Sequence, residues 1–386
     1  MIDRIFHGGL RYRLILAAGA LMVLGGLVAY AHQLTNGLGV TGLSRDVSWG
    51  LYIAQFTFLV GIAASAVMVV LPYYLHDYKA FGRMVILGEF LAVAAVLMCM
   101  LFVFVDMGQP ARVLNLILHP RPNSVMFWDM LVLSGYLLIN LVIGSVALDA
   151  ERTEAAPPRW IRPLIILSIP WAVSIHTVTA FLYAGLEARP FWMTAILAPR
   201  FLASAFASGP ALLILLALAL RRYSRFDVGT KAIQALATIV TYAMAINLFF
   251  VGVELFTALY GGNPHHTEPF AYLFTGIEGR GALMPWVWTG QLVALAAAVL
   301  LLVPANRRRH RILAVLCALV VGALWIEKGL ALVVAGFIPS PLGHVTEYAP
   351  TTPEVAVTIG VYGVGVLVLA MLYRLVLNIR ERFEMA

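Results

Sequence analysis

Charge is scarce in this chain. Only 12% of its 386 residues are Asp, Glu, Lys or Arg, about half the roughly 25% of an ordinary soluble domain. Cysteine is scarcer still. Cys99 and Cys317 are the only two, and both lie in apolar stretches, so they supply neither a disulfide framework nor a four-cysteine cluster site. The chain has no low-complexity tail and no stretch polar enough for a soluble domain. It also lacks the period-two alternation that a membrane barrel requires. Apolar residue fills the space instead: 62% is hydrophobic and the mean hydropathy is +0.91. A single soluble core does not need that much. These absences exclude a soluble globular enzyme, a disordered regulator and a nucleic-acid-binding domain. They leave an all-α, polytopic membrane protein.

A bilayer core of about 30 Å needs about 20 mostly apolar residues in a helix. Ten such runs are present, at about 13–33, 48–75, 84–105, 125–148, 161–185, 200–220, 232–260, 284–304, 312–338 and 353–378. Together they make residues 1–386 one integral membrane domain. The first run follows Arg11 and Arg13 and ends near Ala29-Tyr30-Ala31, which resembles a signal peptide with its cleavage site. Its apolar length exceeds the usual 7–15 residues of a signal core, so we expect a retained span.

Basic residues set the orientation. One set of alternate loops, with both termini, holds Arg4, Arg11, Arg13, Lys79, Arg83, Arg152, Arg159, Arg162, Arg221, Arg222, Arg225, Lys231, Arg307, Arg308, Arg309, Arg311, Arg374, Arg380 and Arg382. The other set holds Arg45, Arg112, Arg121, Arg189, Arg200 and Arg280, and Lys328 lies within the ninth run. Nineteen against six predicts that both termini are cytoplasmic. The net charge of +7 then follows from topology and needs no nucleic-acid partner.

Ionisable residues at bilayer depth are costly and face a cavity or a partner. The candidates are Glu89, Asp106, Asp129, His176, Glu254, Glu327 and Lys328. Glu327 and Lys328 are about 100° apart on a helix, so each should meet a neighbouring helix instead of the other. Glu254 either bonds a neighbour or serves function, and Glu89 is either a buried hydrogen-bonding group or a proton route from the cytoplasm. A bis-histidine haem would need His176 to find a mate at similar depth. His32 is the one candidate, and it sits too near a surface. His265-His266 lies in a loop with no carboxylate–histidine spacing that supports a metal site.

The denser polar collection is at the non-cytoplasmic ends of the first five runs. Trp49-Gly50 opens the second run, Asp106 to Arg112 closes the third, and Asn123 to Asp129 opens the fourth, with Trp128 beside Asp129 and Tyr136 two turns deeper. His176 and Tyr183 lie on the fifth. Such a set suits an amphipathic ring ligand, with aromatics around the ring and His, Asp and Arg at its carbonyls. An aromatic belt with helix caps explains Trp49 and Trp128 equally well. It explains Asp129 less well, because an acid inside a span has no capping role.

These segments resemble the NrfD/PsrC family of quinone-interacting membrane subunits. The family's Asp-x-Gly-x-Pro-x-Arg pattern is met by Asp106, Gly108, Pro110 and Arg112. Its Asn-Ser-x-Met-x-Trp-Asp pattern runs from Asn123 to Asp129, its Trp-Gly is Trp49-Gly50, and its Pro-Thr-x-x-Glu element is met by Pro350, Thr351 and Glu354. Within the family, residues 42–61 and 169–185 are similar to the DsrP branch, the membrane subunit of the DsrMKJOP complex of dissimilatory sulfur metabolism. The resemblance implies two four-helix bundles plus flanking helices in a bacterial or archaeal cytoplasmic membrane. It also implies a menaquinone or related quinone near the periplasmic face. The implied partners are a periplasmic iron–sulfur subunit of the DsrO kind and further subunits that include cytochromes.

Quinol oxidation releases two protons and two electrons. The chain has no cysteine or histidine set adequate for haem or an iron–sulfur cluster, so electrons are expected to pass through partners. On that reading it is a quinone-reactive subunit and not a complete enzyme. The expected roles are Asp129 and His176 on the quinone head group, Trp49 and Tyr136 lining the ring pocket with Trp128 and Tyr183 nearby, an Asp106–Arg112 ion pair, and Glu89 on a proton path. The competing readings are a b-type cytochrome, a structural anchor and a secondary transporter. A transporter calls for Gly/Pro-broken spans at matching positions of two halves, whereas the prolines here gather towards run ends.

Overall fold

The structure is a computed structural model that describes residues 9–153, 157–224 and 226–383. Arg4 and Arg225 of the charge balance lie outside the described residues. Among the described residues, ten helices are long and apolar enough to cross a membrane. They are α1 (Leu10–Asn36), α2 (Leu51–Leu75), α3 (Lys79–Asp106), α4 (Val125–Ala150), α5 (Ile161–Ala184), α6 (Leu197–Tyr223), α7 (Thr230–Gly261), α8 (Met284–Leu302), α9 (His310–Ala335) and α10 (Thr352–Leu377). Among the described residues the extended pairing is limited to an isolated bridge between Ile277 and Arg280.

Helices α2 to α5 pack as one bundle and α6 to α9 as a second, while α10 lies on α3 with α1 flanking it. The bundles meet where α2 packs on α6 and on the middle of α9. This explains α2's composition: every residue from Leu51 to Ala63 is buried, and a helix enclosed on all sides has no polar face to keep. Helix α1 is the opposite case. Its buried residues are Gly19, Gly26 and Gln33, and the glycines bring it against α10. A Cβ on Gly26 would sit 2.5 Å from the Gly360 Cα.

Two helices are irregular at mid-depth. Helix α2 breaks at Ala64–Ala66, where Ala64 N donates to Gly61 O at 3.2 Å and Ser65 N to Ile62 O at 3.0 Å. This tighter i→i−3 winding frees the Ala63 carbonyl, which accepts from Tyr136 Oη at 3.3 Å. Gly209 of α6 faces the break, and a Cβ there would lie 3.0 Å from Ser65 N. Helix α9 widens to a π turn over Trp325–Ala331. The expectation that prolines gather at run ends needs correction, because Pro170 lies inside α5 and Pro210 inside α6. At Pro210 the helix stays continuous, and the preceding Gly209 brings two backbones together.

Candidate functional site

The basic-poor end is organised by Glu354, the first acidic residue of α10. Its carboxylate accepts from Gly42 N at 3.0 Å and Leu51 N at 3.2 Å. Tyr348 Oη also donates to Glu354 and accepts from Leu51 N at 2.6 Å. A helix N-terminus carries unsatisfied amides, and these groups satisfy Leu51 N, the first amide of α2. Burial, with Glu354 beside it, pushes the Tyr348 phenol above its ordinary value of 10. The Tyr348 ring lies so close to Gly50 that any Cβ there would overlap it. The Trp-Gly and Thr-x-x-Glu motifs, 300 residues apart in the chain, are therefore two halves of one cap.

Trp49 stands at the centre of an aromatic box. Its ring stacks on Trp192 at 5.7 Å and meets Tyr183 and Phe337 edge-on at 5.4 and 5.8 Å. The Trp192 indole donates to Leu332 O at 2.9 Å, which ties the box to the second bundle. Beneath it, α5 turns one face inward: His176, Thr179 and Tyr183 are all fully buried, as their i, i+3, i+7 spacing requires. Asp129, 5% exposed, accepts from Thr179 Oγ1 at 2.7 Å. Tyr183 Oη is hydrogen-bonded to Thr57 Oγ1. His176 Nδ1 bonds Ala172 O at 2.7 Å, while its Nε2 is buried with no partner. Asp106 and Asp129 are both within electrostatic reach of Tyr183.

Other expected members fall elsewhere. Asp106 and Arg112 form no ion pair. Arg112 is exposed on the turn Pro110–Leu114, and Asp106 Oδ1 is buried and unpartnered, because the chain reverses direction between them. Trp128 is 45% exposed, with its indole on Pro122 O at 2.7 Å. Tyr136 Oη donates to Ala63 O at the α2 break, about 20 Å along α2 from the Trp49-Gly50 end. Glu89 is 1% exposed, has an unpartnered Oε2, and lies near Tyr136 and Tyr74 at the other end of the bundle. His32 faces outward on α1 and bonds Asn36, so it cannot join His176.

Residues 39–339 match the protein family described as polysulphide reductase, NrfD. The chain belongs to the NrfD family. The matched region covers α2 to α9, both bundles without the flanking helices. A putative membrane subunit of a dimethyl sulfoxide reductase from Halobacterium salinarum is 28% identical, over 90% of this chain and 87% of that protein. An Hdr-like menaquinol oxidoreductase integral membrane subunit of Archaeoglobus fulgidus is 26% identical over 68% of this chain and 64% of that protein. The integral membrane subunit of a menaquinone reductase of Nitratidesulfovibrio vulgaris is 22% identical over 90% and 87%.

The second bundle of this NrfD chain holds its own charge cluster. Arg200, placed in a loop by the charge count, lies in the first turn of α6 and is 9% exposed. Five arginines therefore remain in the basic-poor loops. Its guanidinium binds Glu254 of α7 and reaches Glu327 of α9 at 3.1 Å. Asn247 Nδ2 also donates to Glu327, at 3.2 Å. Glu254 and Glu327 thus join neighbouring helices, and Lys328 points elsewhere, its Nζ on Phe201 O at 3.3 Å and over the Phe201 ring at 4.4 Å. Both adjacent residues therefore reach α6, Glu327 at Arg200 and Lys328 at Phe201, while Glu327 also meets Asn247 of α7. Thr179 was the missed member of the first site. The i+3 spacing from His176 could have flagged it, whereas nothing local marks Trp192, Thr57 or Tyr348.

Proposed function

We propose that this chain is the membrane subunit of a multi-subunit, quinone-linked oxidoreductase complex, and that its quinone head-group site lies at the basic-poor ends of α2, α4 and α5. The observation that carries this reading is the pairing of a buried Asp129–Thr179 hydrogen bond with a buried His176 Nε2 that has no donor. A buried acceptor left unpaired is costly, and a quinol hydroxyl is a donor of the right kind. The residue set therefore fits a menaquinone-type head group. A bound quinol supplies two electrons and two protons. His176 Nε2 accepts a hydroxyl proton or holds the hydrogen bond, Asp129 exchanges protons with Thr179 orienting its carboxyl, and Tyr183 fixes the opposite edge. The aromatic box excludes water from that edge. Glu89 serves any proton drawn from the other end.

The basic loops favour cytoplasmic termini and a site on the periplasmic side. Electrons pass to a periplasmic iron–sulfur partner, which docks over the loop holding Arg112. Leu114, Ile117 and Leu118 in that loop are 56%, 67% and 66% exposed, an apolar surface suited to a partner. The names of the menaquinol and menaquinone relatives support the quinone assignment. Residues 42–61 and 169–185 support a place in sulfur metabolism of the DsrP kind, and co-purifying subunits test it. The deciding experiment is Asp129→Asn in the intact complex. Quinone-linked electron transfer should stop while the complex still assembles. Normal turnover would remove Asp129 from the mechanism.

A further inference from the structure

A cavity opens at the end opposite the proposed quinone site. It holds about 560 Å³ between the basic ends of α2, α3 and α4 and the loop joining α6 to α7, a size typical of small-molecule sites. Its inner wall is apolar, with Ile86 and Ala147, and its rim carries Lys79, Arg83, Tyr73 and Tyr74. Both rim cations are exposed. Arg83 makes one bond, from Nη1 to Asp227 O at 2.9 Å. Lys79 pairs with Asp77, but both side chains are open to solvent, at 71% and 80%, and such a pair holds its partners weakly. The rim carboxylate, Asp227, is already engaged by Gly229 N at 2.9 Å and Arg221 at 3.4 Å. Arg152 and Arg159 lie within two residues of the lining residues Ala150 and Pro157.

The depth of the mouth is set by its neighbours. Leu75 and Tyr78 are 53% and 38% exposed, the apolar and aromatic pair expected where a helix end meets lipid head groups. A cavity with a dry wall and a cationic rim at that level complements an amphiphile with an anionic head. We propose that it binds the phosphodiester head group of an anionic phospholipid, with Lys79 and Arg83 on the phosphate and the glycerol side against Tyr73 and Ala147. A zwitterionic lipid brings its own ammonium to the same cations and loses the advantage. Basic pockets between membrane helices on the cytoplasmic side have this chemistry in general. The site is independent of the quinone reading, since no residue is shared.

The test uses the full chain in nanodiscs of phosphatidylcholine doped with phosphatidylglycerol, with retained lipids counted by native mass spectrometry. Phosphatidylglycerol should be retained in preference. Lys79→Ala should weaken retention about fivefold, and adding Arg83→Ala by a further factor of about five. Ala147→Phe crowds the apolar wall while leaving both cations, and should also weaken retention of the lipid. Equal retention of the two lipids would overturn the proposal. So would wild-type retention in Lys79→Ala and Ala147→Phe. Inorganic phosphate alone displacing the lipid would assign the rim to a free anion and overturn it as well.

Discussion

Replacing Arg200 with methionine would leave the carboxylates of Glu254 and Glu327 facing one another inside the second bundle. Arg200 is their shared cation, and Asn247 is the other donor to Glu327. Removing one member of a buried ionic set costs about 3–5 kcal/mol, because the charge left behind stays desolvated. At roughly 2 °C per kcal/mol for a chain of this size, the midpoint of thermal unfolding in detergent should fall by about 6–10 °C. The single carboxylate variants rank below it. Glu327→Gln loses the anion that two donors share, and Glu254→Gln loses one donor's partner, so the order of damage is Arg200→Met, then Glu327→Gln, then Glu254→Gln. The triple variant Arg200→Met/Glu254→Gln/Glu327→Gln buries no charge in this cluster and should recover most of the loss. Scanning fluorimetry on the purified chain reads all four. A triple variant no more stable than Arg200→Met would refute the electrostatic account and point to guanidinium packing. An Arg200→Met shift below about 2 °C would show the cluster to be hydrated.

Three shorter predictions follow from other parts of the structure. Tyr348 has its phenol pKa raised above 10 by burial and Glu354, so its contribution is complete below the unfolded value and is lost as pH rises past it. Wild type should therefore lose its advantage over Tyr348→Phe above about pH 10, and an advantage that persists unchanged there would contradict the cap. Gly26→Leu should detach α1 from α10 without unfolding the bundles, read as faster proteolysis near residues 37–40 with unchanged helicity; unchanged proteolysis would mean α1 is held by other contacts. Gly50→Ala should drive the Tyr348 ring off Leu51 N, leaving Glu354 as that amide's acceptor, and lower the unfolding midpoint by about 2 °C, on the order of 1 kcal/mol for one lost hydrogen bond.

Hydropathy made the ten helices legible, because the cost of exposing backbone in lipid dictates long apolar helices. The motif residues were legible as a group, but their partners were not. Asp106 and Arg112 look like an ion pair in sequence, yet a helix end and a turn separate them. Glu354 and Leu51 look unrelated, yet they meet. Contacts between helices far apart in sequence leave no local periodicity, so Thr57–Tyr183 and Trp49–Trp192 had no signal to find. Arg200 opens the sixth run, and the charge count assigned it to the preceding loop because its partners Glu254 and Glu327 lie on helices far away in sequence.

The remaining question of mechanism is where protons enter, and α4 supplies a ruler. Glu89 packs beside Gly144, whose Cβ position is 3.8 Å from the Glu89 Cβ. Gly144 is fifteen residues along α4 from Asp129, about 22 Å at 1.5 Å per residue. No proton crosses that in one hydrogen bond of about 3 Å. Tyr136 lies near the midpoint of the same helix, on the carbonyl freed by the α2 break, and Ser65 in that break has a buried hydroxyl without a partner. A route from the basic end would therefore pass Glu89, then the Tyr136–Ser65 level, then Asp129, with water filling the intervals. Glu89→Gln and Tyr136→Phe should then slow proton uptake in reconstituted complex by similar factors while leaving quinone binding intact. If turnover and uptake stay normal in both variants, the protons exchange directly at the Asp129 end, and Glu89 is a buried carboxyl with a packing role alone.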